Sequence, residues 1–244
     1  MLRSEGFERH WPENRRGAIS LTYDGGLPEH FEIVGPDLSR RGLRGTFYVT
    51  PRALVQNAPI WRGLAMQGHE IGNGCLIDAA MGDGSLPRWT LEMVSLEVDS
   101  AQEALAEILP GQVAHSFGYP WGYSRAAGGS DIREVVDPQI EVARAGTDGM
   151  NAPGSCDLQF LRCMMADSWT GAELVRMAEA TLDSGKWGIF AFEGVGSGLR
   201  GVDHAAHTML LNWLASVQPQ VWVDPVITVA GSLRSLRRGQ LRVL

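Results

Sequence analysis

Three segments of the chain place polar or glycine-rich residues directly after an apolar run, and each contains a carboxylate. The segments are Asp24-Gly25-Gly26, Gly72–Asp78 and Glu193-Gly194. Two carboxyl groups in unlike surroundings can divide into a proton acceptor and a proton donor, because burial and mutual repulsion separate their pKa values. A pair such as Asp24 and Glu193 therefore suits proton abstraction and return, as in hydrolysis, elimination, isomerisation or ring closure.

The elements that must position these segments follow from the apolar patterning. Short runs rich in β-branched and aromatic residues predict strands, and runs with apolar residues three and four apart predict helices. The predicted strands are 18–23, 45–50, 69–73, 113–118, 141–145, 160–165, 187–192 and 221–223. The predicted helices are 28–41, 90–109, 171–184 and 203–216.

Strand and helix alternate along the chain, which indicates an α/β fold with a parallel sheet and helical crossovers. A (β/α) barrel is the predicted arrangement of this sheet, because a chain of 244 residues has the usual length of such a barrel. A doubly wound open sheet is the alternative. No linker or shift in composition marks a boundary, so residues 1–244 are predicted to form one domain. Folds of this kind carry their chemistry at the C-terminal ends of the strands, where the three segments lie.

Composition excludes several classes of protein. A net charge of −7 argues against a nucleic-acid binder that relies on broad phosphate neutralisation. The chain has no run of about 18 apolar residues, so no membrane span is predicted. The first residues mix charges and lack an apolar core, so we expect a cytoplasmic protein without a secretory signal. Three cysteines without a CxxC pair indicate reduced thiols rather than a disulfide framework.

Five motifs in register carry a family resemblance. They are SLTYDGGLPEH at 20–30, LRGTFYVTP at 43–51, W-x6-GHEIGN at 61–73, FGYPWG at 117–122 and GKWGIFAFEGV at 185–195. In this order and spacing they resemble the polysaccharide deacetylase (NodB-homology) superfamily, over about residues 17 to 235. The resemblance implies a distorted (β/α) barrel of seven or eight strands and a divalent metal held by Asp-His-His.

The resemblance breaks at the metal ligands. The family motif T-[FY]-D-D-G reads Thr22-Tyr23-Asp24-Gly25-Gly26 here, so Asp24 keeps the position of the general base and Gly25 takes that of a ligand. The motif H-[ST]-x-x-H reads Gly74-Cys75-Leu76-Ile77-Asp78, so both histidines are replaced. A zinc site needs about three protein ligands, and glycine supplies none from its side chain. We therefore expect no metal and no other cofactor, with an improvised site of Asp24, Asp78 and Cys75 as the alternative.

Two further motifs have changed. The family's R-x-P-[YF]-G reads Gly118-Tyr119-Pro120-Trp121-Gly122, without the arginine that orients the base in the family. The position at which the family has its general-acid histidine holds Glu193 in this chain. The resemblance implies that Asp24 and Glu193 face each other across the mouth of the barrel.

Asp24 and Glu193 are the predicted catalytic residues. The residues predicted to contact a small-molecule substrate are Tyr119, Trp121, Cys75, Asp78 and His30. His69 is predicted to be a core histidine, and His204 and His207 are predicted to lie on the surface.

The favoured interpretation is a metal-independent acid–base enzyme acting on an intracellular small molecule, with secondary metabolism as one setting. Three alternatives stay open. The first is a non-catalytic relative that binds a sugar or metabolite. The second is a conventional amide hydrolase with the improvised metal site, and the third is nucleophilic catalysis by Cys75. The sequence does not indicate an oligomeric state.

Overall fold

The computed structural model describes residues 11–196 and 201–241, and in these ranges eight parallel strands form one curled sheet. The strands are β1 (Gly17–Gly25), β2 (Thr46–Val49), β3 (Glu70–Asn73), β4 (Phe117–Gly118), β5 (Ala143–Arg144), β6 (Met164–Met165), β7 (Trp187–Phe192) and β8 (Val221–Val223). Their order is β5-β4-β3-β2-β1-β7-β6, and β8 pairs with the beginning of β1. All eight predicted strands are present, several of them shorter than predicted.

The sheet closes where its two ends meet. Leu161, just before β6, donates its N–H to the carbonyl of Ala143 at 2.9 Å and accepts from the N–H of Ala145 at 2.8 Å. These bonds join β5 to the chain that leads into β6, so the sheet curls into a distorted (β/α) barrel. The barrel prediction is confirmed, and the open doubly wound sheet is wrong.

Helices cover the outside of the sheet. They are α1 (Gly35–Arg40), α2 (Pro51–Gln56), α3 (Ala58–Met66), α4 (Leu91–Ile108), α5 (Arg133–Val136), α6 (Gly171–Ser184), α7 (His204–Ser216) and α8 (Val226–Leu241). A π-helical turn at His30–Val34 leads into α1. The predicted helices correspond to this turn with α1 and to α4, α6 and α7, whereas α2, α3, α5 and α8 were not predicted. No helix in the described part of the chain is long and apolar enough to cross a membrane.

Local capping explains where several helices begin and end. Thr170 and Glu173 form a capping box at the start of α6, and Gly185 ends that helix with a φ of 68°. Thr50 caps α2 by accepting from the N–H of Ala53, and Pro51 occupies the first helical position. This Thr-Pro pair is a helix-start signal directly after β2.

Strand β1 separates two environments. Ile19, Leu21 and Tyr23 pack outward into the main hydrophobic core, where the Tyr23 ring stacks on Phe47 at 5.1 Å and on Phe192 at 5.4 Å. The residues between them point into the barrel, because side chains alternate along a strand. This alternation delivers Asp24 to the inside of the barrel at the C-terminal end of β1.

Candidate active site

A cavity of about 230 Å³ opens at the C-terminal ends of the strands. The residues that line it are Asp24, Gly25, Leu27, Ile77, Asp78, Ala80, Trp121, Met165 and Glu193. Four of the predicted site residues meet in this wall: Asp24, Glu193, Asp78 and Trp121. The C-terminal ends of β1 and β6 and the loops after β1, β3, β4 and β7 contribute, as expected for a barrel of this type.

The Asp24 carboxylate is held by a buried arginine on β5. Nη2 of Arg144 donates to Oδ1 of Asp24 at 2.9 Å and to Oδ2 at 2.8 Å. Arg144 is 1% exposed and Asp24 is 8% exposed. Burial raises the pKa of Asp24 above its ordinary value, and the charge and hydrogen bonds of Arg144 offset part of that rise. Asp24 is therefore an oriented carboxylate that is more basic than one in water.

Arg144 is itself fixed on three sides. Its guanidinium lies over the Tyr48 ring, 4.9 Å from the ring centre, and its Nη1 lies 4.0 Å from Sγ of Cys163. The Tyr48 hydroxyl is hydrogen-bonded to Oγ of Ser116 at 3.0 Å. Burial disfavours the charged guanidinium, but the Asp24 carboxylate together with Cys163 and Tyr48 outweighs it, and the pKa of Arg144 lies above its ordinary value. The cation is thus a permanent part of the site.

Sequence reasoning missed Arg144. The family motif places its arginine at the position of Gly118, and Arg144 is the register partner of Gly118 on the neighbouring strand. Arg144 thus lies at the same height in the barrel as the family's arginine, but it reaches Asp24 from β5 and not from β4. One signal was available, because an arginine inside the apolar run 142–145 must find a partner when it is buried.

Glu193 lies beside Asp24 and not opposite it. Strands β1 and β7 are neighbours, with Tyr23 in register with Phe192, and the two carboxylates come one residue later on each strand. Adjacent strands run about 5 Å apart, so both carboxylates stand on the same edge of the barrel. The prediction that they face each other across the mouth is wrong because β1 and β7 pair directly.

His30 was predicted to contact substrate, but it is buried behind the cavity wall. Its Nδ1 accepts from the N–H of Leu27 at 3.2 Å, and its Nε2 donates to the carbonyl of Glu193 at 2.7 Å. Burial lowers the pKa of His30 to about 4, so the ring is neutral at pH 7. His30 ties the loop after β1 to the loop after β7 and thereby holds the two carboxylate-bearing segments together.

Two other predicted substrate contacts are absent from the cavity wall. Cys75 is 5% exposed and packs in a core cluster with Phe117 and Tyr119, and burial raises the pKa of its thiol. Tyr119 is fully buried and donates its hydroxyl to Oδ1 of Asp137 at 3.2 Å. Both predictions are wrong, since these side chains point into the core. Cys75 also lacks the lowered pKa that a nucleophilic thiol needs.

Three further histidines, His69, His204 and His207, divide between core and surface. His69 is buried, accepts from the N–H of Gly45 at 3.2 Å and bonds Oγ of Ser39 at 3.1 Å, which confirms it as a core histidine. The prediction for His207 is wrong, because it is fully buried and lies 2.9 Å from the Tyr23 hydroxyl. His204 is half exposed and bonds Asp37.

The comparisons with known proteins agree with this geometry. The family model for polysaccharide deacetylase matches residues 12–134, half of the chain. The chain belongs to the polysaccharide deacetylase family.

A probable polysaccharide deacetylase from Pseudomonas aeruginosa PAO1 superposes with a TM-score of 0.65 at 15% identity, over 92% of this chain and 93% of that one. A mutant of a CE4 family pseudoenzyme superposes with a TM-score of 0.52 at 12% identity, over 89% and 68% of the two chains. A gellan lyase from Bacillus sp is 26% identical over 144 residues, which is 59% of this chain and 5% of the lyase.

The residues present do not fit the metal that the family resemblance implies. Gly25 and Gly74 stand at two ligand positions without a side chain, and Asp78, at the third, is exposed. Asp24 is already engaged by a cation, and the Cys75 thiol points away into the core. Within residues 11–196 and 201–241, no three His, Cys, Asp or Glu side chains form a group that could hold a metal ion.

Proposed function

We propose that this member of the polysaccharide deacetylase family is a metal-independent acid–base enzyme acting on a small molecule. Asp24 is the base and Glu193 the proton donor. The observation that carries the proposal is the buried pair between Arg144 and Asp24 in the wall of a cavity that Glu193 shares. A buried arginine fixed on a carboxylate that faces a cavity is a costly arrangement, which suits a reacting group better than a packing contact.

The geometry supports a division of roles between the two carboxylates. Arg144 approaches Asp24 from inside the barrel, so the cavity side of the carboxylate is left to accept a proton from a substrate carbon, a hydroxyl or a water molecule. Burial raises the basicity of Asp24, which favours that transfer. Glu193 on the neighbouring strand would return a proton to the same molecule, which suits hydrolysis, elimination, isomerisation or ring closure.

The cavity indicates the kind of substrate. Its volume of about 230 Å³ accommodates a small molecule or one residue of a larger one. Trp121 offers a flat aromatic face and Leu27, Ile77 and Met165 offer apolar contacts, while the carboxylates disfavour an anionic ligand. The three cysteines are free thiols, which supports an intracellular setting.

A second candidate is a non-catalytic protein that binds a sugar or metabolite in the same cavity. The observation in its favour is that both metal-histidine positions and the position of the general acid have all changed. One structural neighbour is itself described as a CE4 family pseudoenzyme, which gives a precedent on this fold. The third candidate, an amide hydrolase with an improvised metal site, has less support because the donors do not converge.

The test is a turnover screen of small amides, esters, cyclic imides and lactones in excess chelator, with wild type, Asp24→Asn and Glu193→Gln. We expect wild-type turnover with chelator present and a loss of about 100-fold or more in each variant. The Asp24 variant should still fold, because an amide oxygen can accept from Arg144. Glu103→Gln in α4, an exposed carboxylate outside the cavity, is the matched control and should keep its activity.

Full activity in both carboxylate variants, or activity that chelator abolishes and zinc restores, would contradict the proposal. Binding of a compound without turnover, unchanged in both variants, would favour the non-catalytic candidate instead.

A further inference from the structure

At two of the family's ligand positions the backbone of this chain itself disfavours a side chain. Gly25 has a φ of +98°, a conformation that residues with a Cβ rarely adopt. A Cβ added to Gly74 would lie 2.8 Å from the carbonyl carbon of Tyr48 and 2.9 Å from its oxygen. Both distances are shorter than real Cβ contacts, and the opposing atoms are backbone, which cannot rotate away.

Tyr48 keeps strand β2 from moving aside. A Cβ on Gly72 would lie 2.7 Å from the Tyr48 ring, and one on Gly118 would lie 2.8 Å from it, so the ring fills the space that these glycines leave. The hydroxyl is bonded to Ser116 and the ring face carries the Arg144 guanidinium. Tyr48 is thus held by β3, β4 and β5 together, and its main chain cannot retreat from Gly74.

Arg144 disfavours Asp24 itself as a metal ligand. Its charge is fully desolvated and lies within 3 Å of both Asp24 oxygens. A divalent cation bound to these oxygens would meet this positive charge at short range, where a low dielectric makes repulsion strong.

We infer that two of the three ligand positions of this barrel, Gly25 and Gly74, are closed by its backbone, so that placing Asp at 25 and His at 74 and 78 does not rebuild a metal site. This inference concerns the same cavity as the proposed function. It rests on that proposal only in sharing this cavity. It predicts that Gly74 is intolerant of any side chain, whatever that side chain could coordinate.

The experiment compares the triple variant Gly25→Asp/Gly74→His/Asp78→His with wild type by zinc competition against a chromophoric chelator and by thermal melting. Gly74→Ala tests the backbone contact alone. Gly63→Ala in α3 is its matched control, because a Cβ there meets no atom within 4 Å. We expect no stoichiometric zinc on the triple variant. Gly74→Ala should melt about 5–10 °C below wild type, and Gly63→Ala at or above it.

A folded triple variant that binds one zinc ion per chain would overturn the inference. If the triple variant does not fold, the alanine pair decides. Equal melting of Gly74→Ala and Gly63→Ala would overturn the inference, and a large difference would support it. Wild type in the same titration separates the two proposals, since zinc bound by wild type contradicts the metal-free function, whereas zinc bound by the triple variant alone contradicts only this inference.

Discussion

The two ends of the barrel each hold a buried carboxylate beside a cavity, and the two carboxylates are satisfied in different ways. At the N-terminal end, Glu70 accepts from the Thr46 hydroxyl at 2.8 Å and from the N–H groups of Ser116 at 2.8 Å and Ile227 at 3.0 Å. At the C-terminal end, both oxygens of Asp24 accept from the Arg144 guanidinium. Glu70 thus fastens the first turn of α8 to the sheet, whereas Asp24 keeps a face toward the cavity.

Under the proposed function, the difference separates a structural carboxylate from a reactive one. The cavity beside Glu70 is about 500 Å³, more than twice the size of the one beside Asp24, so size alone would point to the wrong end. What distinguishes Asp24 is its charged partner, Arg144, and its place among polar groups from several loops. The three donors around Glu70 leave its carboxylate little capacity to accept a proton from a substrate.

The largest effect should come from Glu70→Ala. The change leaves the N–H groups of Ser116 and Ile227 and the hydroxyl of Thr46 buried without their acceptor, each at a cost of about 1–3 kcal/mol. We expect a loss of about 5 kcal/mol in the free energy of unfolding, measured by urea denaturation. Glu70→Gln, which keeps one acceptor oxygen, should lose less. A loss under about 1 kcal/mol for Glu70→Ala would show that the hydrogen bonds of Glu70 do not hold α8 to the sheet.

Arg144→Met should give the next largest effect. Removing one partner of a buried ion pair costs about 3–5 kcal/mol, because the other charge is left without compensation. The double variant Asp24→Asn/Arg144→Met should recover part of that loss, and Arg144→Lys should not restore the stacking or the two-oxygen contact. Urea denaturation of wild type, Asp24→Asn, Arg144→Met and the double variant forms a double-mutant cycle. If the two single losses simply add, the pair is not coupled and the comparison between the two ends fails.

The smallest effect concerns the buried neutral histidines at the two ends. Burial lowers the pKa of His30 and of His69 to about 4 in the folded chain, against about 6.5 when unfolded. The unfolded state therefore binds more protons between pH 6.5 and 4, so stability falls as pH falls through that window. Each histidine contributes up to about 1.4 kcal/mol per pH unit.

Unfolding measured at pH 7, 6 and 5 checks this slope in wild type, His30→Asn and His69→Asn. Each variant should flatten the pH dependence by a similar amount. Only His30→Asn should also impair turnover or ligand binding in the cavity, because His30 ties Leu27 to Glu193. Equal functional effects of the two variants would remove the distinction between the ends.

Much of the fold could be predicted because its signals are local. Strands such as β7 are continuous apolar runs, and α6 has a capping box and a glycine stop that can be found within 16 residues. The short helices α2 and α3 were missed because they contain too few turns for a clear period. α8 was missed because its start depends on Glu70, which lies 157 positions away in the chain.

The site was predicted in part. Asp24 and Glu193 could be placed at the cavity because they end apolar strands and match family positions. Arg144 was missed because its pairing with Asp24 joins residues 120 apart, a contact that no local pattern encodes. Cys75 and Tyr119 were placed in the cavity because sequence does not specify which way a side chain points after a strand ends.

The central claim is that an arginine-held carboxylate, and not a metal, organises this cavity. The most direct test is a crystal structure grown in excess zinc, with anomalous diffraction recorded at the zinc edge. We expect Arg144 still paired with Asp24 and no anomalous peak within the cavity formed by Asp24, Asp78 and Glu193. A zinc peak bound to Asp24, with Arg144 displaced from it, would contradict the claim.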